Sequence, residues 1–450
     1  MQRLGLGDRS VDITHGRLRD NIWQLGWPLM ISQGLSFFPG LYDGYWLSRL
    51  GAHALAAATI AITLRLTLIS VLMALSGASA AVISRYVGAE EHGLADRAAT
   101  QAVILFVLAS GSLGILGLIF IEPLLAAAGA SGDLLAPTIA YARVIFAGLI
   151  ALEMVPSMGS MLSSSGNPQL SLQMNLLTLF SLLILEPLLI WLGWGVTGAA
   201  LALVLANTAG MIYGLFLLAS GRAAVRIEWR YARPDPPMMW RILRIAIPGI
   251  VQRGIPNLTN TILLRFMAGY GAAPVAAFSL FGRQSGLLLA PAGGLAATAP
   301  AMVGQNLGAG QPARASRAVR LAAWAAGISA AVALGLLMLF ATPVYTAFTS
   351  DPATIALGVQ VIGVLSLYRL LLLLSTVLDG ALTGAGDTVS PMVINFISQI
   401  VVLLPTVWLL STGAGWGIHG IFWALVVGFG VQTLLMALRF RQGRWQSQRI

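Results

Sequence analysis

Apolar residues run along this chain in stretches of about twenty or more, cut by short polar or charged segments at nearly even intervals. A stretch of about 20 apolar residues crosses a bilayer as a helix. The pattern predicts helices near 22–48, 54–83, 98–121, 134–160, 170–193 and 198–220, and again near 242–269, 274–302, 318–340, 354–381, 391–412 and 417–439. The second set repeats the first at an offset of 220 residues. Pro248 falls on Pro28, Gly271 on Gly51, Gly308 on Gly88, Arg317 on Arg97, Pro343 on Pro123 and Gly386 on Gly166. Near the ends the offset is 222, where GWGIHG (415–420) falls on GWGVTG (193–198). Six spans per half bring both halves into the membrane from the same side. They are parallel repeats about an axis along the membrane normal, with the binding site expected between equivalent bundles.

The expected fold is therefore an all-α polytopic membrane protein, with twelve transmembrane helices in two six-helix bundles. The N-terminal lobe is expected over 1–220, a basic cytoplasmic linker over 221–241 and the C-terminal lobe over 242–450. Composition strengthens this picture: of 450 residues, 57% are hydrophobic and 9% charged, and the mean hydropathy is +0.83. A soluble chain of this size needs more charge to cover its surface.

The net charge of +10 would suggest nucleic acid if its placement did not explain it. All the basic side chains are arginine. They precede the first span (Arg3, Arg9, Arg17, Arg19), crowd the central linker (Arg222, Arg226, Arg230, Arg233, Arg241, Arg244), follow the eighth span (Arg314, Arg317, Arg320) and close the chain (Arg439, Arg441, Arg444, Arg449). The alternate loops hold Glu122, Asp133 and Asp351 instead. The positive-inside rule then places both termini and the linker in the cytoplasm. The same arginines are suited to holding anionic lipid, and no nucleic-acid partner is expected. The polar first twenty residues do not read as a cleaved signal peptide.

Enzyme motifs fail. Without lysine there is no P-loop, and without cysteine there is no disulfide, thiolate metal site or thiol chemistry. The four histidines, at 15, 53, 92 and 419, have no ligand spacing. GWGVTG and GWGIHG match a dinucleotide fingerprint but follow no strand, and read as glycine turns between closely packed membrane helices. No metal, cofactor or catalytic residue is expected.

Several segments together resemble the multidrug and toxic compound extrusion family: VGQNLGAGQPARA (303–315), its counterpart VGAEEHGLADRA (87–98), DGYWLSRLGAHALAA (43–57), LEPLLIWLGWGVTGAALA (185–202), SSGNPQ (164–169) and LTGAGDTVSP (382–391). The likeness covers essentially the whole chain. It implies a cation-coupled exporter of the proton-coupled bacterial type, whose two lobes open alternately to each side. It also implies that Asp43 is the main coupling carboxylate and that Glu186, where the family more often has aspartate, shares the role.

The residues themselves leave alternatives open. A carboxylate in the membrane costs about 3 kcal/mol, so each one asks for a reason. Asp43 is either a snorkelling interfacial acid or a cation site; burial favours the neutral form of a carboxyl, which lets it load and release a proton. Glu186, before Pro187, is either a coupling acid or a buried acid bonded to hydroxyls. Glu153, before Pro156, is the third coupling candidate. Tyr42, Asn175 and Thr178 are polar candidates for the substrate cavity in the first lobe. In the second lobe, Pro256 and Leu372 stand where the sodium-coupled branch of the family has acids, which speaks against sodium there. Asp379 reads as a helix-end residue. Arg253, Arg283, Asn257, Asn260 and Gln284 are cavity candidates, with Arg265 and Arg369 as further basic residues. They either snorkel or form a wall that favours anionic or zwitterionic substrates. Gly26 and Pro28 are expected to let helix 1 bend.

The reading that results is a monomeric antiporter of the bacterial inner membrane. It exports amphipathic drugs or metabolites against protons, with sodium as the alternative ion. The rivals are a lipid-linked precursor flippase of the same superfamily and a membrane-embedded enzyme.

Overall fold

The computed structural model describes residues 11–448. Arg3, Arg9 and Arg449, used above for orientation, lie outside the described residues. In chain order the helices are α1 (Leu18–Leu35), α2 (Phe38–Arg49), α3 (Ala52–Leu68), α4 (Ser70–Gly88), α5 (His92–Ile119), α6 (Ile121–Ala127), α7 (Leu135–Ala147), α8 (Leu149–Ser164), α9 (Pro168–Leu189) and α10 (Gly195–Ala219). There follow α11 (Pro236–Ala268), α12 (Ala272–Leu288), α13 (Ala290–Ala296), α14 (Thr298–Gly308), α15 (Pro312–Leu339), α16 (Ala341–Phe348), α17 (Pro352–Gly384), α18 (Val389–Asn395), α19 (Leu404–Trp408) and α20 (Gly417–Arg441). No strand occurs among the described residues.

Seven helices are long and apolar enough to cross a membrane, and two bent pairs, α7–α8 and α12–α14, add two spans. One of the seven, Pro168–Ala219, is 52 residues long. It is α9 and α10 joined across a kink at Gly193 (φ 86°) and makes two spans. What remains is the broken helix α1–α2 and the 33-residue α11, the first span of each half. These complete twelve; α2 is only 12 residues long, and α11 carries polar residues such as Arg253, Asn257 and Asn260.

The helix ends keep the sequence repeat. α12, α15 and the end of α14 lie 220 residues after α3, α5 and the end of α4, and both ends of α20 lie 222 after those of α10. The glycine turns follow suit: Gly51 and Gly271 have φ 110° and 105°, and Gly195 and Gly417 have 50° and 55°. Glu90 is the one non-glycine residue with positive φ among the described residues, at 60°, and its repeat mate Gly310 has 69°.

Contacts divide the chain into two compact units. The first contains Gly34–Ile247, the second Thr14–Gln33 and Pro248 onward. This differs from division at 220 and 242: the start of the first helix packs with the second half, and the linker packs with the first. In the first unit α9 lies on α10 and α8, α4 on α5 and α3 on α7. A β-carbon at Gly210 would sit 2.0 Å from the Thr178 hydroxyl, so glycine allows α9 and α10 to approach. The linker lies across the start of α5. Asp96 accepts from the Arg226 N–H at 2.7 Å, and the Gln101 amide donates to the carbonyls of Tyr231 and Arg233 at 2.6 and 2.8 Å. In the second unit α17 packs on α20, α15, α14 and α12. Gly26 meets Leu295 within that unit, where an added β-carbon would lie 2.9 Å from it.

The expected bend at Gly26 and Pro28 is not where the helix breaks. α1 runs through both residues, and the break falls at Ser36–Phe37, just before Pro39 in the first turn of α2. Proline at a first turn removes no helical hydrogen bond, so a new helix starts there without cost.

Candidate functional site

The first unit gathers acids from separate helices. Asp43 on α2 is 6% exposed and Glu186 on α9 is fully buried. Each carboxyl lies within range of the other's charge. Tyr141 on α7, also fully buried, donates to Asp43 Oδ2 at 3.5 Å. Asp43 Oδ1 and both oxygens of Glu186 accept no hydrogen bond from an N–H or hydroxyl donor among the described residues, so each carboxyl has chiefly the other as its neighbour. Two ionised carboxyls buried this close would repel, so the arrangement suits a proton or another cation held between them.

The local backbone explains why α9 presents this acid. Pro187 has no N–H, so the carbonyl four residues back, Leu183, loses its helical donor. The Tyr42 hydroxyl supplies one at 2.9 Å. Tyr42 stands one residue before Asp43, so the same contact seats α2 against α9. Edge-to-face contacts of Trp46 with Tyr42 and Trp191 extend the seat.

Glu153 on α8 belongs to a different arrangement. Arg65 of α3 reaches it at 2.9 Å, and both side chains are mostly buried. Glu153, the third coupling candidate, is thus held in an ion pair. Arg65 and Tyr141 were not singled out in the sequence. The Thr178 hydroxyl donates to the Met174 carbonyl at 3.0 Å and lies against Gly210, where α9 and α10 meet. Asn175 is half-buried on α9.

The second unit contains its own cavity of about 420 Å³. Arg253, Asn257 and Asn260 of α11 line it. Arg283 and Gln284 of α12 are not among its lining residues; the first is exposed and the second buried. Arg369 donates to the Ser285 hydroxyl and the Gly282 carbonyl, which ties α17 to α12. Asp379 is no mere helix-end residue. It lines the cavity, accepts a hydrogen bond from Gln252 and feels the charge of Arg253. Among the described residues there is no cluster of three or more acids or histidines fit for a metal ion.

Known proteins are similar to this chain over its length. A family model described as MatE matches residues 28–188 and 248–409, two segments that begin 220 residues apart. The probable multidrug resistance protein YpnP of Bacillus subtilis (strain 168) is 24% identical over 450 residues, which cover 98% of this chain and 99% of that one. An FAD transporter of Shewanella oneidensis is 28% identical over 381 residues, 81% of this chain and 82% of that one. Among solved structures, a MOP superfamily transporter from Pyrococcus furiosus, described as having a binding pocket of reverse polarity, has a TM-score of 0.91 at 23% identity and covers 99% of this chain and 100% of that chain.

Proposed function

As the chain belongs to the MatE family of multidrug and toxic compound extrusion transporters, we propose that it is a proton-coupled antiporter that exports amphipathic drugs or metabolites from the bacterial cytoplasm across the inner membrane. The facing carboxyls of Asp43 and Glu186 carry this reading. Ionised, the pair repels within itself and is stabilised by whatever cation or donor enters. Protonated, it shares the proton and α2 settles against α9. Each proton that moves inward yields about 2.3 kcal/mol per 100 mV. Glu153, already paired with Arg65, holds charge in place rather than carrying it.

Protons are favoured over sodium because Pro256 and Leu372 occupy the second-half positions where acids would help hold sodium. A lipid-linked precursor flippase is disfavoured because Arg253 shares its cavity with Asp379, which leaves no net positive charge for a pyrophosphate. Anionic lipid at the cytoplasmic arginines and a monomeric state belong to the same reading. The test is efflux of a fluorescent dye from everted vesicles, with pH and sodium gradients imposed separately. Dye movement should follow the pH gradient and be lost in Asp43→Asn with normal membrane insertion. Movement driven by sodium alone, or unchanged in that variant, would overturn the proposal.

A further inference from the structure

The cavity of the second unit has a directional hydrogen-bond lining. The Leu372 carbonyl can only accept, so the Ser375 hydroxyl, 3.2 Å away, donates to it. Ser375 must then accept from the next group, which is the Gln432 amide nitrogen at 3.1 Å. Gln432 therefore turns its oxygen to Gln399, whose nitrogen donates at 3.1 Å. The polarity set at one backbone carbonyl passes through three side chains and leaves the Gln399 oxygen as the free end. Gln399 is 1% exposed and Asn395 is 6% exposed. The oxygens of both are buried without a hydrogen-bond partner among the described residues. The two residues are four apart and both line the cavity.

Such orphaned acceptors are costly, at about 1–3 kcal/mol each, and rare without a reason. The backbone around them is also unusual. Phe396–Leu403, which contains Gln399, is a π-helical segment, a geometry frequent at functional sites. Phe278 and Phe429 line the same space, and Tyr368 meets Phe429 edge-on at 4.9 Å. Arg253 and Asp379 are the cavity's only strongly ionising residues among those described, one of each sign.

We propose that this cavity binds a flat, uncharged or zwitterionic heteroaromatic compound, which presents N–H donors to the oxygens of Asn395 and Gln399 and an acceptor edge toward Arg253. The proposal deepens the export reading, since it names a class of cargo and the residues that select it. Net charge is neither required nor favoured, because Arg253 and Asp379 balance. A volume of about 420 Å³ accommodates two fused rings between the aromatic walls. Selection comes from N–H groups: a ring without them leaves both oxygens unpaired.

Equilibrium binding to the purified full-length protein, with no gradient, tests this separately from proton coupling. The probes are fluorescent 2-amino-4-oxopteridine, which has N–H donors, and 1,3-dimethyl-2,4-dioxopteridine, which has none. The first should bind about tenfold more tightly or better, the gain expected of two satisfied buried acceptors. Gln399→Met and Asn395→Leu should each remove most of that difference by weakening the first probe alone. Equal affinity of the two probes for the unaltered protein, or no binding of the first, would overturn the proposal without reliance on any variant. Unchanged selectivity in both variants would overturn it too. Because no gradient is applied, failure here leaves the coupling reading to its own vesicle test.

Discussion

The Tyr42 hydroxyl donates to the Leu183 carbonyl at 2.9 Å, the carbonyl that Pro187 leaves without its helical N–H. Tyr42→Phe keeps the ring and removes the donor. It should cost about 1–3 kcal/mol, the penalty for an orphaned buried acceptor. Pro187→Ala restores the missing N–H, so Tyr42→Phe should cost much less in that background. Thermal unfolding of the four proteins of this cycle gives the coupling, and additive effects would refute the compensation.

Arg65 and Glu153 form a mostly buried ion pair. Arg65→Ala leaves an uncompensated acid inside the membrane domain and should destabilise by about 3–5 kcal/mol. The double change Arg65→Met with Glu153→Met removes both charges and should recover most of that loss. If Arg65→Ala alone is neutral in thermal unfolding, Glu153 is not held by this pair.

Substrate affinity should depend on acidity through Asp43. On the proposed coupling, proton uptake closes the pair, so affinity should be highest near pH 8 and fall toward about pH 5, a range that brackets buried carboxyls in general. Asp43→Asn should bind equally across the range. A slope that survives in that variant would remove Asp43 from the linkage. Glu186→Gln should flatten the slope as well, since its charge acts on the same partner.

Glu90 holds φ 60° where its repeat mate is Gly310 at 69°. A left-handed conformation disfavours residues with a β-carbon. Glu90→Gly should therefore be neutral or stabilise by up to about 1 kcal/mol despite the larger entropy of the unfolded chain, and Gly310→Ala should destabilise by a similar amount. Paired thermal melts check both signs.

The natural chain has no cysteine, so single-cysteine labelling reads its orientation cleanly. Ala232 in the linker and Ala353 at the start of α17 are both exposed. A membrane-impermeant thiol reagent should reach Ala232→Cys only from the cytoplasm and Ala353→Cys only from outside. Labelling of both from one face would overturn the topology.

Much of this architecture was legible in the sequence because a membrane span imposes a length and a repeat imposes an offset. The ends of α3, α5 and α10 reappear in the second half at the offsets read from matched residues, mostly glycines and prolines. Asp43 and Glu186 were legible because a membrane acid stands out in an apolar run. Their partners were not. Tyr141 and Arg65 are ordinary residues in their own helices, and only the packing of α7 on α3 and of α3 near α8 gives them meaning. Asp379 was misplaced because its distance from the turn at Gly384 said nothing of Gln252 across the unit. The π-helical turn at Gln399 has no local sequence signal. The helix 1 break was sought at the proline inside the helix, whereas the chain breaks before Pro39, where a helix begins.

The assignment of Thr14–Gln33 to the second unit bears on how the chain is made. The helix over Thr14–Gln33 is synthesised well before the neighbours it packs on. Gly26 waits for Leu295, and the His15 carbonyl for the Arg314 guanidinium that donates to it at 2.7 Å. At about 5–20 residues per second, that interval is on the order of tens of seconds. During it, the segment must lie in lipid or against a temporary neighbour. Products that stop at the linker therefore carry this helix without the partners that the second half would bring to it.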